Sequence, residues 1–277
     1  MAASETGGKG IPCMFALLPN KKLITYETLF KKIKEIVGEP NRMQTIITDF
    51  EKAVFSACEK VFPHAVHKGC RFHQHSAIWS KLGDLGLQAL FHQDAKFQEL
   101  TYKLYSLCYV PADEVVSTYN DVILPLVEHG LDKYQDWIDY AAELEEFGIY
   151  FSNTWICRRN GRSPLFMPKL WNHFESVKEG GPQTNNMLES HNRTWNSLVG
   201  HSPNVWHIQE LFIKQDAEAR RAYLSNAVGQ DMTTNTGRKQ RSLDARARVK
   251  FVVDAFDSMP RADYISTLAH DRQKFDQ

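Results

Sequence analysis

The 277-residue sequence contains no apolar run approaching the roughly 20 residues a membrane-crossing helix needs, so no membrane span is expected. Its opening, MAASETGGKG, lacks the basic-then-apolar order of a secretory leader and reads as a small, polar, Gly-rich disordered segment over residues 1–10. Cysteine is scarce. The five residues, at 13, 58, 70, 108 and 157, are scattered and odd in number, which argues against a disulfide framework and fits a reducing compartment. There is no Gly-rich Walker loop and no Gly-x-Ser-x-Gly, so two common routes to nucleotide and acyl-transfer chemistry are missing.

Net charge is also absent overall, but not locally. Residues 1–83 carry 12 Lys/Arg against 7 Asp/Glu, residues 84–157 carry 3 against 13, and residues 158–277 carry 18 against 13. Two flanks of +5 therefore enclose a middle of −10. A polyanion such as nucleic acid would be drawn to the flanks and repelled by the middle.

What is present begins as alternating elements. Ile11 to Leu18 is a continuous apolar run closed by Pro-Asn and predicts a buried strand. Thr25 is placed to cap a helix striped by Tyr26, Leu29, Phe30, Ile33, Ile36 and Val37, which Gly38 and Pro40 end. Met43 to Thr48 predicts a second strand, closed by Asp49. Val54, Ala57, Cys58 and Val61 mark the next helix, Val66 to Phe72 a third strand, and Ala77 to Leu82 the start of another helix. The alternation predicts an α/β unit with parallel strands over residues 11–83. From residue 84 the period becomes helical throughout, in Leu100, Leu104, Leu107 and Cys108, then Val115 to Leu126, then Tyr134 to Ala141. A Pro/Gly/Asn/Arg-rich loop covers about 158–185, helices are predicted from Asn186 and over Trp206–Leu224, and 226–277 reads as a basic, partly helical tail.

Three groups of residues carry possible chemistry. Asp49, at the carboxyl end of a strand, is placed either to ligate Mg²⁺ or Mn²⁺ or to cap the following helix. Glu189, in TNNMLESHNRTWNSLVG, lies near a helix start, where it either projects into a site or completes a capping box with Asn186. Cys70 and His73 form a Cys-x-x-His pair among His64, His67 and His75. That pair suggests either zinc, for which no second ligand pair lies nearby, or a brace at the strand-to-helix joint. Arg238, Lys239, Arg241, Arg246 and Arg248 fall in a stretch with six basic residues and one acidic one, and offer contacts to phosphates.

Several segments together resemble one family: IPCMFALLPNKKLITYETLF, IITDFEKAVFSACEKVFP, KGCRFHQHS, LYSLCYVP, YFSNTWI, FMPKLWN, TNNMLESHN and HSPNVWHIQELF, in order over residues 11–213. They are similar to the MULE (Mutator-like element) transposase domain of the ribonuclease H-like transposase and integrase superfamily. The resemblance implies an α/β fold: a partial ribonuclease H-like core, a mixed sheet with flanking helices, interrupted by an all-α insertion. The core's first part would be residues 11–83, the insertion 84–183 and the core's C-terminal part 184–225. It implies that Asp49 and Glu189 are metal-binding catalytic acids, with Cys70 and His73 in a motif near the active site. Two divalent cations, Mg²⁺ or Mn²⁺, spaced ~4 Å apart would activate water and then a DNA 3′-hydroxyl. It further implies transposon-end DNA as partner, a possible homo-oligomer and a nuclear location. The family's first catalytic aspartate belongs upstream of Ile11, and no aspartate precedes Asp49 here. The chain alone is therefore expected to be inactive. A domesticated remnant that binds DNA or protein without cleaving is the alternative, and a zinc-stabilised binding module using Cys70 and His73 a third.

Overall fold

Thr-Ile-Ile-Thr at 45–48 is β-branched throughout, and branched side chains are confined at χ1 in a way that suits a strand. In the computed structural model these residues form such a strand. The structure describes residues 2–3, 10–11, 13–38, 45–157, 161–181, 195, 197–200, 203–228 and 237–276. In chain order, strand β1 is Ala2–Ala3, β2 Gly10–Ile11, helix α1 Leu23–Val37, β3 Thr45–Thr48, α2 Lys52–Val61, β4 Val66–Gly69 and α3 Arg71–Asp84. Strands β3 and β4 pair in parallel, Thr45 opposite Val66 through Thr48 opposite Gly69, with α2 as the crossover. The short β1 and β2 pair antiparallel. The parallel α/β alternation is thus present, on a small scale, in a chain that is mostly helix.

Helix α2 turns Phe55, Ala57, Cys58 and Val61 inward and packs against α1. Across that contact Lys60 reaches the buried carboxylate of Glu27, Nζ to Oε2 at 2.8 Å. A buried carboxylate needs such a partner, because burial without one would strongly disfavour the charge.

Three local expectations are corrected. The run at 11–18 is not a buried strand: only Gly10–Ile11 pairs, 13–18 has no regular structure, and Met14 and Leu17 are exposed. Its fixed point is Phe15, whose ring stacks on Phe212 at 5.2 Å and on Trp195 at 5.7 Å. Among the described residues no strand lies beside 13–18, so that run has no ladder to join. Helix α1 starts at Leu23, so Thr25 is not its cap; the Thr25 hydroxyl donates instead to Asn20 Oδ1. Helix α3 starts at Arg71, six residues before the expected Ala77, because β4 ends at Gly69 and leaves Cys70 as the residue preceding the helix.

The helical body holds the main core. It comprises α4 Leu87–Gln93, α5 Ala95–Ser106, α6 Val115–Thr118 running through a π-turn into α7 Leu124–Lys133, then α8 Gln135–Asp139 and α9 Ala141–Phe151. A second π-turn, Ser152–Ile156, follows α9, then α10 Pro168–Trp171 and α11 Phe174–Lys178. Beyond it lie α12 Val205–Ala227, α13 Gly237–Asp254 and α14 Arg261–Asp276. Phe97, Trp137, Phe151, Trp155 and Trp171 are fully buried in this core. So are Phe256, Tyr264 and Ile265 from the C-terminal segment, where α14 packs on α5 and the Tyr264 hydroxyl donates to the Tyr109 carbonyl. Each large apolar side chain so buried contributes about 1.5–3 kcal/mol relative to exposure. Among the described residues no helix is long and apolar enough to cross a membrane.

Gly130 is buried in the helical body. It lies inside α7, where a Cβ would sit 2.1 Å from the Trp137 ring. Gly to Ala inside a helix ordinarily gains about 1 kcal/mol. Here the overlap is expected to win, and Gly130→Ala should lower stability by about 1–3 kcal/mol in urea unfolding. An increase would mean that Trp137 gives way.

Candidate functional site

The site forms where the parallel strands end. β3 delivers Asp49 one residue beyond its last paired residue, and β4 delivers Gly69 and Cys70 beside it. The amide of Cys70 donates to the Thr48 carbonyl at 2.8 Å, carrying the ladder one step past the last strand residue. α3 then begins, and its third residue, His73, faces back toward β3. His73 Nδ1 lies 3.1 Å from Asp49 Oδ1, an electrostatic contact with the charge on the ring only when it is protonated. The two residues come from separate elements and meet because β4 stops at Gly69 and α3 begins at Arg71.

Asp49 is not the cap of α2. The residue preceding that helix is Glu51, whose side chain accepts from the Tyr26 hydroxyl at 3.0 Å rather than from the helix amides. The Asp49 side chain keeps 55% of its surface in solvent. An exposed carboxylate at a strand end is a hard oxygen donor of the kind Mg²⁺ and Mn²⁺ take. Asp49 therefore fits one ligand position of such an ion. Among the described residues no group of three or more His, Cys, Asp and Glu is spaced to complete a metal site. Glu189 lies outside the described residues. Cys70 is fully buried at the joint, where its backbone extends the sheet.

Two neighbouring histidines are locked neutral. His67, on β4, shares a 2.8 Å hydrogen bond with the Thr48 hydroxyl and packs against the Phe55 ring, tilted by 33°, with centroids 4.3 Å apart. Burial lowers its pKa to about 4. His173, between α10 and α11, was not a sequence candidate. It is fully buried and donates from Nε2 to the Gly69 carbonyl at 3.1 Å. Burial, then the charges of Arg71 and Lys68, lower its pKa to about 3.

The expected basic surface is divided. Arg238, Lys239 and Arg241 lie on α13, their side chains outside the described residues. Arg246 is exposed. Arg248 reaches Asp271 at 3.4 Å, and the adjacent Lys250 donates to the Lys178 carbonyl at 2.8 Å. The α13 cations thus serve partly to fasten that helix to α11 and α14. A groove of about 780 Å³, lined by Phe72, Trp79, Phe91, Tyr102 and Tyr105, lies along α3, and sequence reasoning had not found it.

The model of one family, the MULE transposase domain, matches residues 1–76. That segment holds β3, Asp49, the joint and the first turn of α3. Residues 1–76 are therefore similar to the MULE transposase domain. The match stops at Ser76, so the helical body lies beyond it. No curated protein and no solved structure matches the chain. Within the MULE segment, the strand-end aspartate and the Cys-x-x-His pair are both present and adjoining.

Both histidines have folded-state pKa values below the unfolded 6.5, so the unfolded chain binds more protons at mildly acidic pH. Their contribution is complete above pH 6.5 and falls as pH drops through the window from 6.5 toward about 4 for His67 and about 3 for His173. Thermal unfolding is expected to show stability rising with pH across that window, by at most about 1.4 kcal/mol per pH unit for each group. His173→Gln should flatten the slope; an unchanged slope would assign the acid sensitivity elsewhere.

Proposed function

We propose that this chain is a MULE transposase-derived domain whose ancestral chemistry is metal-dependent DNA strand cleavage and transfer on a ribonuclease H-like core. The observation that carries the reading is the exposed Asp49 carboxylate at the end of a parallel strand, 3.1 Å from the histidine of a Cys-x-x-His pair, inside the segment that matches the MULE model. The α/β unit supports the ribonuclease H-like assignment only coarsely, through one parallel strand pair and its crossover helix.

In this reading Asp49 and Glu189 hold Mg²⁺ or Mn²⁺. The ions, when bound, would lower the pKa of an attacking water and stabilise charge on the phosphodiester oxygens. His73 lies against one Asp49 oxygen and orients the carboxylate. The partner is DNA, the acting form a homo-oligomer and the compartment the nucleus. The 277 residues supply two acids of the expected three, so cleavage by them alone is not expected. The alternative is a domesticated remnant that binds DNA or protein without cutting, and the exposed Arg246 on a basic helix favours it.

A Mn²⁺ titration of the purified chain with a nicking assay on duplex DNA tests the first reading. Asp49→Asn is expected to weaken Mn²⁺ binding at least tenfold, the order seen when a metal site loses a supporting group. Equal binding by the variant would reject Asp49 as a ligand. For the alternative, Arg246→Ala should weaken duplex binding uniformly across sequences and reduce the salt slope by about 1. A DNA affinity independent of salt would exclude a phosphate-contacting role.

A further inference from the structure

Asp49 is exposed and touches His73, yet the chain on both sides of it is tied to the helical body, Thr48 through the Gly69–Cys70 joint and Phe50 directly. On one side is Thr48. Its carbonyl accepts from the Cys70 amide, and the preceding Gly69 carbonyl accepts from His173 at 3.1 Å, across 104 positions. On the other side is Phe50. Its ring lies so close over Gly69 that a Cβ there would fall 2.2 Å from it. The same ring meets Trp155 and Phe166 edge-on, each at 4.9 Å.

The residues doing the gripping are themselves fixed. The indole of Trp171 donates to the carbonyls of Trp155 and Phe166 at 3.2 Å, which ties the two aromatic jaws together. Asn172 donates to the Val110 carbonyl and, through Oδ1, accepts from the Phe174 amide at 3.0 Å. The His173 amide donates to the Cys108 carbonyl at 2.7 Å. His173 thus has its backbone anchored in the helical core and its ring anchored on the sheet. A carbonyl only accepts, so Nε2 carries the proton and the tautomer is set. The segments that supply these groups, YFSNTWI and FMPKLWN with the following His173, lie far outside the matched 1–76.

We propose that His173 is a positioning residue: from the helical body it fixes the Gly69–Cys70 joint, and through that joint the strand end that presents Asp49. This rests on the reading of Asp49 as a metal ligand. The Trp155–Phe166 pair acts with it, seating Phe50 so that residues 48 to 50 are held from both sides while the carboxylate between them stays open to solvent.

The test compares the full chain carrying His173→Met, which keeps an apolar side chain of similar bulk without a donor, with His173→Gln, whose side-chain amide can reach the Gly69 carbonyl. Two readouts are taken: Mn²⁺ affinity by titration, and amide hydrogen exchange resolved along the chain. His173→Met is expected to weaken Mn²⁺ binding about tenfold. It should also speed exchange at the Glu51 and Cys70 amides, which bond to the Asp49 and Thr48 carbonyls, while α5 and α14 stay protected. His173→Gln should restore both. Unchanged affinity and unchanged local exchange in His173→Met would overturn the proposal. So would a uniform loss of protection across α5 and α14, which would make His173 a general core residue. If Asp49→Asn leaves Mn²⁺ binding unaltered in the parent chain, the metal reading of Asp49 fails, and the exchange pattern alone then decides for or against the brace.

Discussion

The closest packing constraint in the site is the contact between the Phe50 ring and the Cα of Gly69. A Cβ at 69 would fall 2.2 Å from the ring, so any other residue there forces the ring or the strand to shift. With the ring seated there, β3 and β4 end at the same level, the Cys70 amide meets the Thr48 carbonyl, and the chain turns into α3 at Arg71. That turn brings His73 to Asp49. Displacing the ring would open the joint and separate the two residues that define the candidate site.

A pair of four-residue parallel strands does not hold itself together. Parallel pairing is somewhat weaker per residue than antiparallel pairing, and its faces normally need cover. Here α2 packs on β4 and α1 packs on α2, and β3 still leaves Thr45 exposed and Ile46 and Ile47 only half-buried. The rest of the support comes from the helical body. Trp155 and Phe166 box Phe50, His173 takes the Gly69 carbonyl, and Lys68 donates to the Lys169 carbonyl at 3.0 Å. The direction of support therefore runs from the helical body toward the segment that holds Asp49.

What the sequence disclosed follows the range of the interactions. The strand ending at Asp49 was legible because Ile46, Ile47 and the following helix stripe are local patterns. The helices of the middle were legible because Leu100, Leu104 and Leu107 repeat at helical spacing and are all buried. The start of α3 was misread because Arg71, Phe72 and His73 carry no capping signature; Cys70 precedes the helix without a side-chain cap bond. His173 was invisible because its partner lies 104 positions away, and no local pattern marks a buried histidine aimed at a distant carbonyl. Tyr264, Ile265 and Leu268 repeat at helical spacing within what reads as a basic, partly helical tail, but their docking on α5 is a long-range contact that no local pattern marks. Glu189 lies outside the described residues, so its place beside Asp49 rests on the resemblance alone.

The charge pattern and the core now acquire a common physical reason. Residues 84–157 carry the −10, and they also supply most of the buried aromatic and aliphatic side chains. A segment with that much apolar surface stays soluble only if its outward positions are strongly charged, and uniform acidity also keeps polyanions off it. The basic residues of α13 face the opposite demand. Lys250 and Arg248 are drawn to a helix-terminal carbonyl and to Asp271, fastening α13 to the body, while Arg246 stays in solvent. If DNA approaches this molecule, electrostatics directs it away from the acidic helices and toward the basic flanks. One of those flanks holds Asp49. The helical body then acts on the site from behind, through Phe50 and Gly69, without offering it a nucleic-acid surface.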